Sequence, residues 1–120
     1  QVPLIFCGPT IQAGALCEET VSLLDLFPTL SEVAGFPVTG LDGVSLAPLL
    51  RDPIHTTERA VKTYINSDDF VLSSKHYRYI RYGDGSEELY DVKNDPREYR
   101  NLAGGPDSQK IITALQNNLR

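Results

Sequence analysis

The run Lys75-His76-Tyr77-Arg78-Tyr79-Ile80-Arg81-Tyr82 interleaves bases with aromatics, a composition that can stack on single-stranded nucleic acid. On a strand, however, Tyr77, Tyr79 and Arg81 point one way and Arg78, Ile80 and Tyr82 the other. The rings are divided between faces, which fits tyrosines packed under a covering helix with arginines at the rim. Acids at 84, 87, 88, 91 and 95 suggest calcium, but their spacing does not fit an EF-hand loop. Asp84 between Gly83 and Gly85 reads as a turn residue, and Asp95 before Pro96 as a helix cap. Cys7 and Cys17 either close a short loop as a disulfide or remain two thiols, and geometry decides. There is no Cys-x-x-Cys, and His55 and His76 lie in unrelated segments, so no zinc is expected. Asn66-Ser67-Asp68-Asp69 is the remaining polar cluster and reads as an exposed turn between two strands. No residue reads as a catalytic group and no set as a metal site.

The elements that must position these groups fall into two parts. Val2-Pro3-Leu4-Ile5-Phe6 is an apolar run that reads as a buried strand, and such a strand needs neighbours. Those neighbours, and an initiator methionine, are expected upstream of residue 1. Cys7 to Glu19 is loop. Asp25 can N-cap a helix to about Ala34, with Pro28 tolerated in its first turn and Gly35 at its left-handed stop. Leu26, Leu30 and Val33 share one helical face. A turn at Gly40-Leu41-Asp42-Gly43 precedes a short helix capped by Ser45, with Leu46, Leu49 and Leu50 apolar. Alternation from Val61 to Ile65, and the runs Phe70–Ser73, Tyr77–Tyr82 and Glu88–Val92, read as strands, the last pair joined by a hairpin at Gly83-Asp84-Gly85. Asn94-Asp95-Pro96-Arg97-Glu98 predicts one helical turn ending near Asn101, with Glu98 in the capping-box position. Asp107 or Ser108 caps a final helix with Ile111, Ile112, Leu115 and Leu119 on one stripe, suited to cover the sheet.

Charge divides the chain in the same way. Residues 1–57 carry Arg51 against Glu18, Glu19, Asp25, Glu32, Asp42 and Asp52, whereas residues 58–120 are neutral. Asp52-Pro53 and Thr56-Thr57 mark a linker near 52–58. With 120 residues, 41% hydrophobic and 22% charged, the composition is that of a globular chain. The net charge of −5 argues against a general affinity for nucleic acid or anionic membrane. No apolar run approaches the roughly 18 residues needed to cross a bilayer.

Three stretches together resemble the C-terminal region of type I sulfatases, in the alkaline-phosphatase-like superfamily. Val21-Ser22-Leu23-Leu24-Asp25-Leu26-Phe27-Pro28-Thr29-Leu30, followed by Ala34-Gly35, is similar to the family's Val-Ser-Leu-x-Asp-Leu-aromatic-Pro-Thr-Leu segment. Asp42-Gly43-Val44-Ser45-Leu46-Ala47-Pro48-Leu49-Leu50 is similar to its Asp-Gly-x-Ser-Leu-x-Pro-Leu-Leu segment. Tyr77-Arg78-Tyr79-Ile80, with Glu88-Leu89-Tyr90-Asp91, Asp95-Pro96, Glu98 and Asn101-Leu102, is similar to its closing signature. Bacterial iduronate- and heparan-type sulfatases are the nearest relatives by this resemblance.

The resemblance implies an α+β chain. Residues 1–57 would be the tail of an α/β catalytic domain, a strand plus helices. Residues 58–120 would be an antiparallel sheet of three to four strands packed by a C-terminal helix. It also implies hydrolysis of sulfate esters, those of sulfated sugars, by a formylglycine beside calcium, both in a missing upstream domain of the same chain. Cys7-Gly8-Pro9-Thr10-Ile11 is similar to the formylglycine signature Cys-x-Pro-x-Arg, but Ile11 stands where an arginine is required. That segment therefore reads as a strand-end loop with a small buried thiol, and the 120 residues alone are expected to be inactive. In similar enzymes the subdomain's loops border the substrate cleft, which makes Asn66, Asp68 and Asp69 candidates for binding sugar hydroxyls. Export, periplasmic or secreted, is implied as well. A cut surface on residues 2–30 would promote self-association. The alternatives are a stand-alone, non-catalytic α+β interaction module, or a piece of a related phosphonate-ester or phosphodiester hydrolase.

Overall fold

A computed structural model describes residues 3–9, 11–37, 39–55 and 57–119. Val2, Thr10 and Thr56, which enter the readings above, lie outside the described residues. The chain divides into two compact units, Gln1–Thr56 and Thr57–Arg120.

The second unit is a four-stranded antiparallel sheet in the order β1-β2-β3-β4, with β1 Val61–Tyr64, β2 Phe70–Ser73, β3 Tyr77–Arg81 and β4 Glu87–Asp91. Its strands follow the period-2 alternation of the sequence. In register, Lys62 faces Leu72, Leu72 faces Tyr79 and Tyr79 faces Leu89, so one row of side chains crosses all four strands on one side. The helix α3, Ser108–Asn117, covers that side. Ile112 and Leu115 bury against Ala60, Leu72, Tyr79 and Leu89, with Phe70, Tyr77, Leu102, Ala103 and Ile111 around them. Leu119, the fourth residue of the expected stripe, lies beyond the helix. It bridges to Ala60, whose amide donates to the Asn118 carbonyl (2.9 Å), so the two ends of this unit are tied together.

The edge of β4 is closed by the chain that follows it. Asn101 Oδ1 accepts from the Leu89 amide (3.0 Å), and the Leu102 amide donates to the Leu89 carbonyl (2.7 Å). Such pairing removes the open edge that would otherwise invite association.

The helical turn expected at 95–101 is not formed. Asp95 starts a simple turn, accepting from the Glu98 amide at its carbonyl (3.0 Å) and from the Arg100 amide at its carboxylate (2.8 Å). Glu98 adopts a left-handed backbone (φ 57°) and its carboxylate pairs with Arg78 instead of reaching back to cap. An ion pair to a strand 20 residues away outcompetes the local capping box here.

In the first unit, residues 3–6 are irregular and form no ladder, contrary to the strand expected over 2–6, and Ile5 is 86% exposed. An apolar run becomes a strand only where a partner supplies its hydrogen bonds, and the four paired strands all belong to the second unit. A 3-10 turn, Leu23–Asp25, leads into α1, Leu26–Val33. Ser22, not Asp25, is the capping side chain: its hydroxyl accepts from the Leu24 amide while Asp25 accepts from the Ser22 amide. Helix α1 ends in a Schellman motif, with Phe36 N–H to Ser31 C=O (2.9 Å) and Gly35 N–H to Glu32 C=O (3.1 Å), which requires the positive φ that Gly35 adopts (77°). A second helix, α2 at Ala47–Arg51, is preceded by the Ser45 hydroxyl accepting from Ala47 N–H, one residue earlier than a standard cap.

Asp25 and Thr29 are fully buried and hold the 43–46 segment against α1. Asp25 Oδ1 accepts from Val44 N–H (2.9 Å), and Thr29 Oγ1 accepts from Leu46 N–H (2.8 Å) while donating to the Asp25 carbonyl. The apolar face expected to be buried is open: Leu30 and Val33 are exposed, as are Leu23, Leu24, Phe27 and Phe36.

Candidate functional site

The antiparallel register of β2 and β3 pairs Phe70 with Arg81, which brings the β1–β2 loop and the β3–β4 hairpin to the same end of the sheet. There Asn66, Ser67, Asp68, Asp69, Tyr82, Gly83 and Asp84 line a shallow, open depression of about 510 Å³. The structure thus brings Asn66, Asp68 and Asp69 together. It adds Tyr82 and Asp84, which the sequence marked only as strand end and turn.

Most of these side chains build the loop itself. Asn66 Oδ1 accepts from the amides of Asp68 (2.9 Å) and Asp69 (2.8 Å), and Asn66 Nδ2 donates to Asp69 Oδ2 (2.6 Å). The other Asp69 oxygen accepts from Gly83 N–H (2.7 Å), joining the two hairpins. Gly83 is required at that contact, since a Cβ there would lie 2.6 Å from Asp68 Cβ. Asp68 bonds Ser67 Oγ (3.0 Å) through one oxygen. Asp84 Oδ1 accepts from the Ser86 hydroxyl and amide, and these bonds hold its carboxyl below the usual carboxylate range. Tyr82 titrates above the ordinary tyrosine value through partial burial and the nearby Glu88 carboxylate. The exposed groups not used up in the loop are therefore Asp68 and the second oxygen of Asp84, with the half-buried Tyr82 phenol beside them on Glu88. They are acceptors and a hydroxyl suited to sugar hydroxyls, and the carboxylates repel an anion.

The acids read as possible calcium ligands each have a local partner. Glu87 accepts from Tyr79 Oη (2.7 Å) and Arg81 (3.1 Å), Glu88 from Tyr90 Oη (3.0 Å), Asp91 from Asn94 and Asp95 from Arg100. Among the described residues no three His, Cys, Asp or Glu side chains are grouped to hold a metal ion. Cys7 and Cys17 are free thiols, and both are exposed, so the small buried thiol expected at position 7 is not found. An apolar run that makes no ladder has nothing to bury its last residue against. Tyr77 and Tyr79 pack under α3, as expected from strand alternation, and provide no stacking platform.

A wider depression of about 640 Å³ lies in the first unit between Pro28, Phe36, Pro37, Leu41 and Val44. Among the described residues its one ionisable group, Glu32, is paired with Arg51 (3.3 Å), so it offers less chemistry than the hairpin end.

Comparison with known proteins places these observations in a family. A model of the C-terminal region of N-sulphoglucosamine sulphohydrolase matches residues 1–120. Arylsulfatase K of Homo sapiens is 32% identical over 118 residues, covering 85% of this chain and 22% of its own. A Delta 4,5-hexuronate-2-O-sulfatase of Bacteroides thetaiotaomicron is 37% identical over 124 residues, covering 92% and 26%. The solved structure of a 2-O GAG sulfatase superposes with a TM-score of 0.71 at 31% identity, covering 94% of this chain and 27% of that one. The chain spans about a quarter of the length of the relatives it matches.

Proposed function

Because the chain belongs to the N-sulphoglucosamine sulphohydrolase C-terminal family, we propose that it works as the closing part of an enzyme that hydrolyses sulfate esters of sugars. In that reading it supplies scaffold and one wall of the substrate cleft, and the reacting groups come from an upstream α/β domain of the same chain. The family match over all 120 residues is the observation that carries the reading. The names of the relatives, a hexuronate-2-O-sulfatase and a 2-O GAG sulfatase, support a sulfated saccharide as substrate.

The exposed apolar face of the 3-10 turn and α1 supports the same reading from physics. Leu23, Leu24, Phe27, Leu30 and Val33 are each more than half exposed, and an apolar face of that kind suits burial against a partner surface. Asn66 and Asp69 would then shape the hairpin end, while Asp68, with Tyr82 and Asp84 beside it, would meet sugar hydroxyls. Calcium and formylglycine would belong to the upstream domain.

Sulfate release from an aryl sulfate and from sulfated disaccharides tests the proposal. A longer chain containing these residues and the upstream domain is expected to turn over, and the 120 residues alone are not. Turnover by the 120 residues, or none by the longer chain with any sulfated substrate, would refute it. Substituting Asp68 in the longer chain should lower kcat/KM for saccharides and spare the aryl sulfate.

A further inference from the structure

On the sulfatase reading above, we propose that Lys62 and Tyr64, backed by Phe70 and flanked by Arg81, form a second contact for the sulfated saccharide. It would hold one sulfate group and the apolar face of one sugar ring, apart from the reacting centre. The register sets Tyr64 opposite Phe70 and Phe70 opposite Arg81, on the same side of the sheet as Leu72 and Tyr79. The helix α3 packs at the level of Leu72, Tyr79 and Leu89, and Tyr64 remains 63% exposed. Phe70 meets the Tyr64 ring edge-on (6.4 Å, 63°) and fixes its orientation.

Lys62 sets this strip apart. Its ammonium lies 4.5 Å from the Tyr64 ring centroid and 4.2 Å from that of Phe70. Its place over two rings is what distinguishes it, and among the described residues no carboxylate pairs with it. The exposed ammonium thus faces two rings and no carboxylate, and a ring satisfies its charge less well than an anion does. A sulfate ester beside an exposed aromatic face presents what this strip lacks: oxygens for Lys62 and C–H groups for the Tyr64 ring. Arg81, held by Glu87 (3.1 Å), bounds the strip on the far side of Phe70 and leaves Lys62 as its unpaired charge. The hairpin-end depression cannot take the sulfate, because Asp68, Asp69 and Asp84 line it. Charge therefore sorts the ligand, with hydroxyls toward the hairpins and sulfate toward Lys62.

The test is a titration of the 120-residue chain, followed by amide and side-chain NMR shifts. The probes are a heparin-derived sulfated tetrasaccharide and its desulfated counterpart. Shifts are expected at Lys62, Tyr64 and Phe70, with affinity about tenfold lower for Lys62→Gln, for Tyr64→Ala and for the desulfated probe. Lys62→Arg should retain binding, which guards against a variant that merely unfolds. Equal affinity for Lys62→Gln, equal affinity for the desulfated probe, or shifts confined to other segments would overturn the proposal. A longer chain that releases sulfate while this strip ignores the saccharide overturns the contact alone. A strip that binds while no longer chain releases sulfate overturns the sulfatase reading instead.

Discussion

An alanine at position 43 would place its Cβ 2.0 Å from the Leu24 carbonyl oxygen, 2.5 Å from its carbonyl carbon and 3.0 Å from the Asp25 nitrogen. All three are backbone atoms of the 3-10 turn before α1, so no side chain can swing away. Relief requires the 43–46 segment to retreat by about 1.4 Å, the gap from 2.0 Å to an ordinary contact at 3.4 Å. That retreat stretches Val44 N–H to Asp25 (2.9 Å) and Leu46 N–H to Thr29 (2.8 Å), both against buried acceptors. Overpacking costs about 1–3 kcal/mol, and a hydrogen bond to a charged group contributes about 1.5–3 kcal/mol. The same displacement trades one cost for the other, so Gly43→Ala should cost about 3 kcal/mol rather than the sum. For a chain of this size that lowers Tm by about 10 °C. Gly40→Ala is the internal control: its φ of 73° makes alanine strained, but nothing lies within 4 Å of the added Cβ. It should cost about 1 kcal/mol. Urea unfolding followed by circular dichroism measures both, and amide exchange at Val44 and Leu46 locates the damage. If Gly43→Ala proves as stable as Gly40→Ala, the close approach of the two backbones is wrong, and with it the account of how Asp25 and Thr29 act.

Three further outcomes follow from the sheet and the open helix face. Burial first, and then the bond to Glu87, hold the Tyr79 hydroxyl above its ordinary value of 10.0. The unfolded chain then loses this proton before the folded one does, so stability is intact below pH 10 and falls as pH rises from there toward the folded value. Alkaline unfolding curves for Tyr79→Phe should be flatter over that interval, and at neutral pH the variant should lose about 1 kcal/mol; an unchanged alkaline slope contradicts the assignment. Asn101→Ala strips the Leu89 and Ala103 amides of their acceptor (3.0 and 2.8 Å), and should cost about 1–2 kcal/mol with faster exchange at Leu89. Native-like exchange at Leu89 would show that the β4 edge is closed otherwise. Light scattering of the 120-residue chain should reveal concentration-dependent self-association that Phe27→Ser with Leu30→Ser reduces; a monodisperse monomer at all concentrations argues against the open α1 face as an adhesive surface.

The sheet was legible because its signals are local. Alternation from Val61 to Tyr64 and from Tyr77 to Arg81, a Gly-Asp-Gly hairpin and an apolar stripe at helical spacing each report one element without reference to the rest. The failures share a cause of the opposite kind. Asp25 stands where a cap for α1 belongs, yet its carboxylate is divided between the Ser22 amide and Val44, 19 residues on. Glu98 completes a capping-box pattern after Asp95, yet Arg78 takes it from the sheet. Residues 3–6 have strand composition but no ladder. In all three the local pattern is present and the deciding partner is distant in sequence, where no spacing rule reaches it. The candidate site divides along the same line. Asn66-Ser67-Asp68-Asp69 could be read as a polar turn, whereas its meeting with Tyr82, Gly83 and Asp84 depends on the pairing of Phe70 with Arg81. The Asp69 bond to Gly83 is the point where the two hairpins become one surface. Gly83→Ala should therefore act on substrate selection through Asp68, whose Cβ it would crowd. In a longer sulfate-releasing chain the expected signature is a raised KM for saccharides with aryl sulfate turnover unchanged. A variant that lowers both equally would assign that glycine to folding instead.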